Sequence, residues 1–142
     1  MDDASNPVTQ FFDAYAAAVN AKDVGAFSAL YADDVHIFDA WEHWQYSGID
    51  AWRAMAAGWF GSLGDETVEV SFDEVGSAVG QDAALGHAAV TFAAVSAAGE
   101  RLRAMTNRFS VGLQMRDGAW KVVHEHSSLP IDLGSGKGIF ER

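Results

Sequence analysis

The sequence predicts an α+β domain in which three N-terminal helices pack on one side of a curved antiparallel sheet. Three observations carry this prediction. Apolar residues up to Phe60 recur at three- and four-residue spacing, as on one face of a helix. From Val68 onward the pattern switches to period two, with no helical stripe between the strands, which separates α+β from alternating α/β architectures. A length of 142 residues with 49% apolar and 12% aromatic content suits one sizeable core, and no second domain or internal repeat is visible.

Asn6 is placed to cap a helix whose first residue is Pro7, and Val8, Phe11, Phe12, Tyr15, Ala18 and Val19 form its apolar stripe; a helix over 7–21 follows. Asp23 caps a second helix, expected over 23–32, carrying Val24, Phe27, Leu30 and Tyr31 and weakened by Gly25. Two β-rich runs, Val35 to Phe38 and Trp41 to Tyr46, suggest a short hairpin. Ile49, Trp52, Met55, Ala56, Trp59 and Phe60 return to helical spacing, giving a third helix over 49–61 that Gly61 and Gly64 end. Val68, Val70 and Phe72 then alternate with Glu69, Ser71 and Asp73. Long strands over 83–97, 101–116 and 119–128 are separated by turns at Ala98-Gly99 and Asp117-Gly118. Residues 131–142 read as a tail, loose around the three glycines between Leu133 and Gly138.

Composition narrows the function. Nine Lys plus Arg against twenty Asp plus Glu leave a formal charge of −11, so nucleic acid meets net repulsion. With no cysteine there is no disulfide, thiol nucleophile or zinc-thiolate site, which fits the cytoplasm. The start Met1-Asp2-Asp3-Ala4-Ser5 lacks the basic and apolar segments of an export signal, and no apolar stretch reaches the ~18 residues of a membrane span. Gly134-Ser135-Gly136-Lys137-Gly138 lacks phosphate-loop spacing.

Two groups of residues stand out. Val35, Ile37 and Asp39 share one side of a strand, so a carboxylate ends an apolar row; partial desolvation raises its pKa toward that of a general base, although a turn acid before Ala40-Trp41 is an equally simple reading. On the last strand, strict alternation puts Trp120, Val122, His124, His126 and Ser128 on one side, and Thr106, Arg108 and Ser110 share a side of the neighbouring strand. This set would hold a carboxylate, phenolate or enolate beside the Arg108 charge, or else form a paired polar ladder or a dimer face. His36, His43, His87 and Asp39 add possible metal ligands, but no recognised metal-ligand spacing is present, and no metal or organic cofactor is expected. Trp41, Trp44 and Trp52 cluster around the hairpin and third helix and suit the mouth of a pocket for an aromatic or polycyclic ligand, with core filling the alternative for Trp52 and Trp59.

The order of elements, with Tyr31-Ala32-Asp33-Asp34 after the second helix, resembles the nuclear transport factor 2-like superfamily. The ending Arg108-Phe109-Ser110, Asp117-Gly118-Ala119-Trp120 and His124-Glu125-His126-Ser127-Ser128 resembles its SnoaL-like and ketosteroid isomerase-like branch over residues 6–130, with Ser110 where Thr is commoner. The resemblance implies a cone-shaped sheet with a deep pocket and a homodimer through the outer sheet face. It also implies a lyase or isomerase acting on a small hydrophobic or aromatic carbonyl compound, or a binding or dimerisation module of the same fold. By position, Asp39 matches the isomerase's proton-abstracting aspartate and Tyr15 its oxyanion-donating tyrosine; Arg108, His124, His126, Trp41, Trp44 and His87 become candidate ligand contacts, His87 because dehydratases of the superfamily use pocket histidines. The isomerase's second oxyanion donor, a protonated aspartic acid, has no counterpart between Leu102 and Met115.

Overall fold

The computed structural model describes residues 5–142; the first four, part of the start read above as lacking an export signal, lie outside the described residues. Helix α1 (Pro7–Ala21) starts where Asn6 Oδ1 accepts the amides of Val8 at 2.8 Å and Thr9 at 3.3 Å, satisfying two donors that a helix leaves free. It is followed by α2 (Val24–Ser28), strand β1 (Tyr31–Phe38), the two-residue β2 (Tyr46–Ser47) and α3 (Ile49–Ser62). Four long strands complete the fold: β3 (Thr67–Val79), β4 (Ala83–Val95), β5 (Arg101–Arg116) and β6 (Ala119–Ser128). They form one curved, open sheet in the order β2-β1-β6-β5-β4-β3, antiparallel throughout except for the parallel pair β1 and β6.

Three expectations need correction. The second helix is one turn long and does not reach residue 32, because Tyr31 and Ala32 already belong to β1, where Tyr31 pairs with Val122; sheet pairing outweighs the propensity of a helix containing Gly25. The expected hairpin keeps only two paired positions, His36 with Ser47 and Ile37 with Tyr46, and residues 39–45 form a loop. The tail is not loose. Asp132 accepts from the Ser135 amide at 2.9 Å, Ile131 pairs with Gly138, and the Phe140 carbonyl accepts from the Thr106 amide at 2.9 Å. Since β6 ends at Ser128 opposite Arg108, the amide of Thr106 would otherwise face an empty edge, and the tail completes the ladder there.

The helices cover one face of the sheet. Phe11, Phe12, Tyr15 and Val19 of α1, Phe27 of α2 and Trp52, Ala56 and Phe60 of α3 are buried against Val68, Val90, Phe109, Val111 and Val122. Phe12 stacks on Phe72 with ring centroids 4.3 Å apart, and each such side chain removed from water contributes about 1.5–3 kcal/mol. The start of α1 presses so closely on β4 that a Cβ at Gly86 would overlap Val8 Cγ1. Only glycine permits that approach. Among the described residues the opposite face carries no helix: Ala89, Thr91, Ala93, Thr106, Arg108 and Ser110 line it, while Val90, Phe109, Val111 and Met105 point inward.

Candidate functional site

The site is set by a break in the alternation of β6. Leu113 pairs with Val122 but the next residue back, Gly112, pairs with His124, so Val123 is an extra residue and a β-bulge. Past it the faces exchange. Val122 is buried before the bulge, and Glu125 and Ser127 are buried after it, whereas His126 is exposed. The expected common side of Trp120, Val122, His124, His126 and Ser128 is therefore corrected: past the bulge the histidines turn outward, and Glu125 shares the inner face with Val122.

On the inner face lies a cavity of about 550 Å³ bounded by α1, α3, the loop 39–45 and β4 to β6. Its walls are aromatic, with Tyr15, Trp41, Tyr46, Trp52, Trp59, Phe92 and Phe109, together with Met55 and Met105. The polar groups that open into it are Asp39, Glu42, His43, Asn107, Glu125 and Ser127, and no Lys or Arg is among the lining residues. Asp39 and Tyr15, the two residues expected to act together, do line one cavity.

Asp39 continues the Val35 and Ile37 row past the end of β1. Burial lifts its pKa above the ordinary value, and the Ser127 hydroxyl, followed by the Ala40 amide, draws it partly back. Ser127 Oγ donates to Asp39 Oδ1 at 3.1 Å and accepts from the Ala40 amide at 2.9 Å, so backbone, serine and carboxylate hold one another in place.

Glu125, 3% exposed, accepts a hydrogen bond on Oε1 from the Tyr31 hydroxyl at 2.5 Å. Burial pushes its pKa up to about 8, only partly offset by Tyr31 and reinforced by the charge of Asp39. At neutral pH Glu125 is a neutral acid with a proton to offer. Tyr15 is likewise held protonated, its pKa raised well above the ordinary value by burial and then by Glu125 and Asp39. Two carboxyl groups thus line one cavity in different environments, Asp39 half-buried and Glu125 buried. Sequence alternation missed Glu125; the adjacent pair Val122-Val123, two β-branched residues where alternation demands one, was the available signal.

The remaining candidates divide. Trp41 lines the cavity and stacks on Phe140 of the tail at a centroid distance of 5.6 Å. Trp44 is 88% exposed; with His126 it borders a second, shallower hollow that shares Asp39, Glu42, His43 and Ser127 with the cavity. Arg108, His124 and His87 lie on the outer face, away from both. The Arg108 Nε donates to Ser128 Oγ at 3.1 Å, and His124 Nδ1 contacts the His36 carbonyl at 2.7 Å. The His87 ring folds over Gly76, where a Cβ would overlap its Nε2. The sheet itself separates Arg108 from the cavity, which overturns its expected contact with a ligand there. Among the described residues, no group of three or more His, Asp or Glu is arranged to hold a metal ion, and no helix is long and apolar enough to cross a membrane.

A curved open sheet enclosing a lined cavity under three helices defines an NTF2-like fold. The family model of the SnoaL-like domain matches residues 8–132, and the chain belongs to that family. A crystal structure of an NTF2-like protein of unknown function from Pseudomonas putida KT2440 is similar with 28% identity and a TM-score of 0.80, covering 98% of this chain and 95% of the other. Aln2 from a Streptomyces species shares the fold at 19% identity and TM-score 0.75, over 86% and 87% of the two chains. An uncharacterized protein with a cystatin-like fold from Caulobacter vibrioides does so at 14% identity and TM-score 0.72, over 94% of each. No curated protein matches the chain.

Proposed function

We propose that the protein is a small-molecule lyase or isomerase that removes a proton next to a carbonyl group, without metal or organic cofactor. Asp39 is the base, and Tyr15 with neutral Glu125 donates to the oxygen that becomes enolate. The observation that carries this reading is the presence of a half-buried carboxyl group, Asp39, and a fully buried one, Glu125, in one aromatic cavity. A base and oxyanion donors act on the same small group, so sharing one cavity is the first geometric requirement. The aromatic walls suit a flat, hydrophobic carbonyl compound.

The test is exchange of the α-protons of 1-tetralone for deuterium, followed by proton NMR. The wild-type protein should accelerate exchange, and Asp39→Asn should lower that acceleration by roughly 10²-fold or more, as losses of a general base do, with much less change in ketone binding. Binding of the ketone with no accelerated exchange would defeat the base assignment and leave a non-catalytic binding module of the same fold.

Two further expectations accompany this reading. The helix-free outer face is proposed to pair two copies of the chain, in which case light scattering at micromolar concentration should give twice the 15.2 kDa chain mass. A cytoplasmic location is proposed from the absence of cysteine.

A further inference from the structure

Asn107 is a buried polar residue of the cavity whose side chain has no stated task in this chemistry. It is 4% exposed, lies on β5 between Met105 and Phe109, and opens into the cavity with its Oδ1 buried and without a hydrogen-bond partner. Leaving such an acceptor unpaired is costly, and apolar residues of the same shape would serve a core better. The register shows where it stands relative to the base. Ser127 pairs with Phe109, and Phe38 pairs with His126, so Asp39 follows β1 beside Ser127, and Asn107 is the next inward position of β5 beyond Phe109. Both polar groups open into the one cavity, Asn107 from β5 and Asp39 from the loop after β1, with aromatic rings around them.

We propose that Asn107 is a specificity-determining contact that hydrogen-bonds a hydroxyl group of the bound ligand, so that the ligand class is a neutral, hydroxylated cyclic or aryl ketone. This rests on the proposed ketone chemistry of the same cavity. A hydroxyl group both donates and accepts, so it satisfies the carboxamide in either orientation of its oxygen and nitrogen. A carboxylate-bearing ligand is disfavoured. No Lys or Arg lines the cavity, and the acids Asp39 and Glu42 already do, so a ligand carboxylate would add a further like charge.

The experiment measures equilibrium binding of 1-tetralone, its 5-, 6- and 7-hydroxy derivatives, the matching methoxy compounds and 6-carboxy-1-tetralone, by quenching of the cavity tryptophans. At least one hydroxytetralone should bind about tenfold or more tightly than both the parent and its methoxy ether, since a site built to pair a hydroxyl penalises its loss. The carboxylate should bind more weakly than the parent. In Asn107→Leu, with Asn107→Ala as the second variant, the hydroxyl preference should fall to about one. The melting temperature of ligand-free Asn107→Leu should hold or rise, which a purely structural asparagine would not allow. A wild-type preference near one, binding of none of the ketones, or a preference that survives both substitutions overturns the proposal. Hydroxyl preference without α-proton exchange would remove the Asp39 base and leave the Asn107 contact standing; exchange without preference would remove the Asn107 contact alone.

Discussion

The two faces of the β5 and β6 strands put their polar side chains to different use. On the inner face Glu125, Ser127 and Asn107 are buried, and dehydration alters what they can do: an acid keeps its proton and an amide oxygen waits for a partner. On the outer face Arg108, His124, His126 and Ser128 are exposed or half-buried; Arg108 pairs with Ser128, His124 with the His36 carbonyl, and the His126 ring packs edge-on against Phe38. The residue types outside, two imidazoles and a guanidinium, are those most often associated with catalysis. On the proposed reading the chemistry falls to the inner face instead, because a pKa moves with burial and a solvated charge is screened. The switch between faces is the single extra residue Val123.

The largest effect separating the faces should come from Glu125. The unfolded chain releases this proton near the ordinary value of 4.5, whereas the folded chain keeps it to about 8. Across that window the unfolded state binds fewer protons, so stability falls as pH rises. The loss is on the order of 4 kcal/mol by pH 8, at about 1.4 kcal/mol per pH unit. Glu125→Gln keeps an acceptor for Tyr31 and cannot ionise. Urea unfolding of wild type and variant should therefore diverge from pH 5 to pH 8, with the variant's curve the flatter. Parallel curves would mean that Glu125 titrates normally and that the inner face is wet. In the exchange reaction the same substitution should remove a decline in rate above about pH 8, where the wild-type donor ionises.

Asp39→Asn, at roughly 10²-fold in exchange rate, ranks next. It sharpens the comparison because Asp39 and Glu125 are both carboxyls, yet Asp39→Asn should act on rate and Glu125→Gln chiefly on pH dependence.

Much of this arrangement was legible in the sequence, and the remainder has an identifiable cause. Helix α1 is announced locally by Asn6, Pro7 and a clean apolar stripe, and α3 by its own stripe, so both were read to within a residue. The turns at Ala98-Gly99 and Asp117-Gly118 bound the long strands for the same reason. Asp39 reached the cavity because no bulge interrupts β1 between His36 and Phe38. What failed is non-local. The bulge at Val123 depends on Gly112 across the ladder, the early start of β1 on Val122, and the folded tail on the edge left at Thr106. Periodicity along one segment contains none of these partners. One residue of slip was enough to send His124 and His126 outward and to bring Glu125 onto the face of Val122, from which strict alternation separates it.

The smallest expected effect tests the comparison from the other side. Arg108 is exposed on the outer face, and its Nε is engaged by Ser128 Oγ at 3.1 Å. For it to influence an enolate in the cavity, its charge would have to act across the sheet, past buried Phe109 and Asn107. Arg108 also remains joined to water on its own side, which screens it within about 8–10 Å at ordinary ionic strength. Arg108→Ala should therefore leave the rate of α-proton exchange at saturating ketone within about twofold of wild type, and its salt dependence unchanged. Stability should shift by no more than about 1 kcal/mol, the usual range for an exposed polar contact. A tenfold loss of exchange in a variant that melts normally would show that the guanidinium does reach the reacting group. The division between a chemical inner face and a solvated outer face would then fail at the residue where sequence alternation and the bulge disagree about nothing, since Arg108 lies on β5 and not on β6.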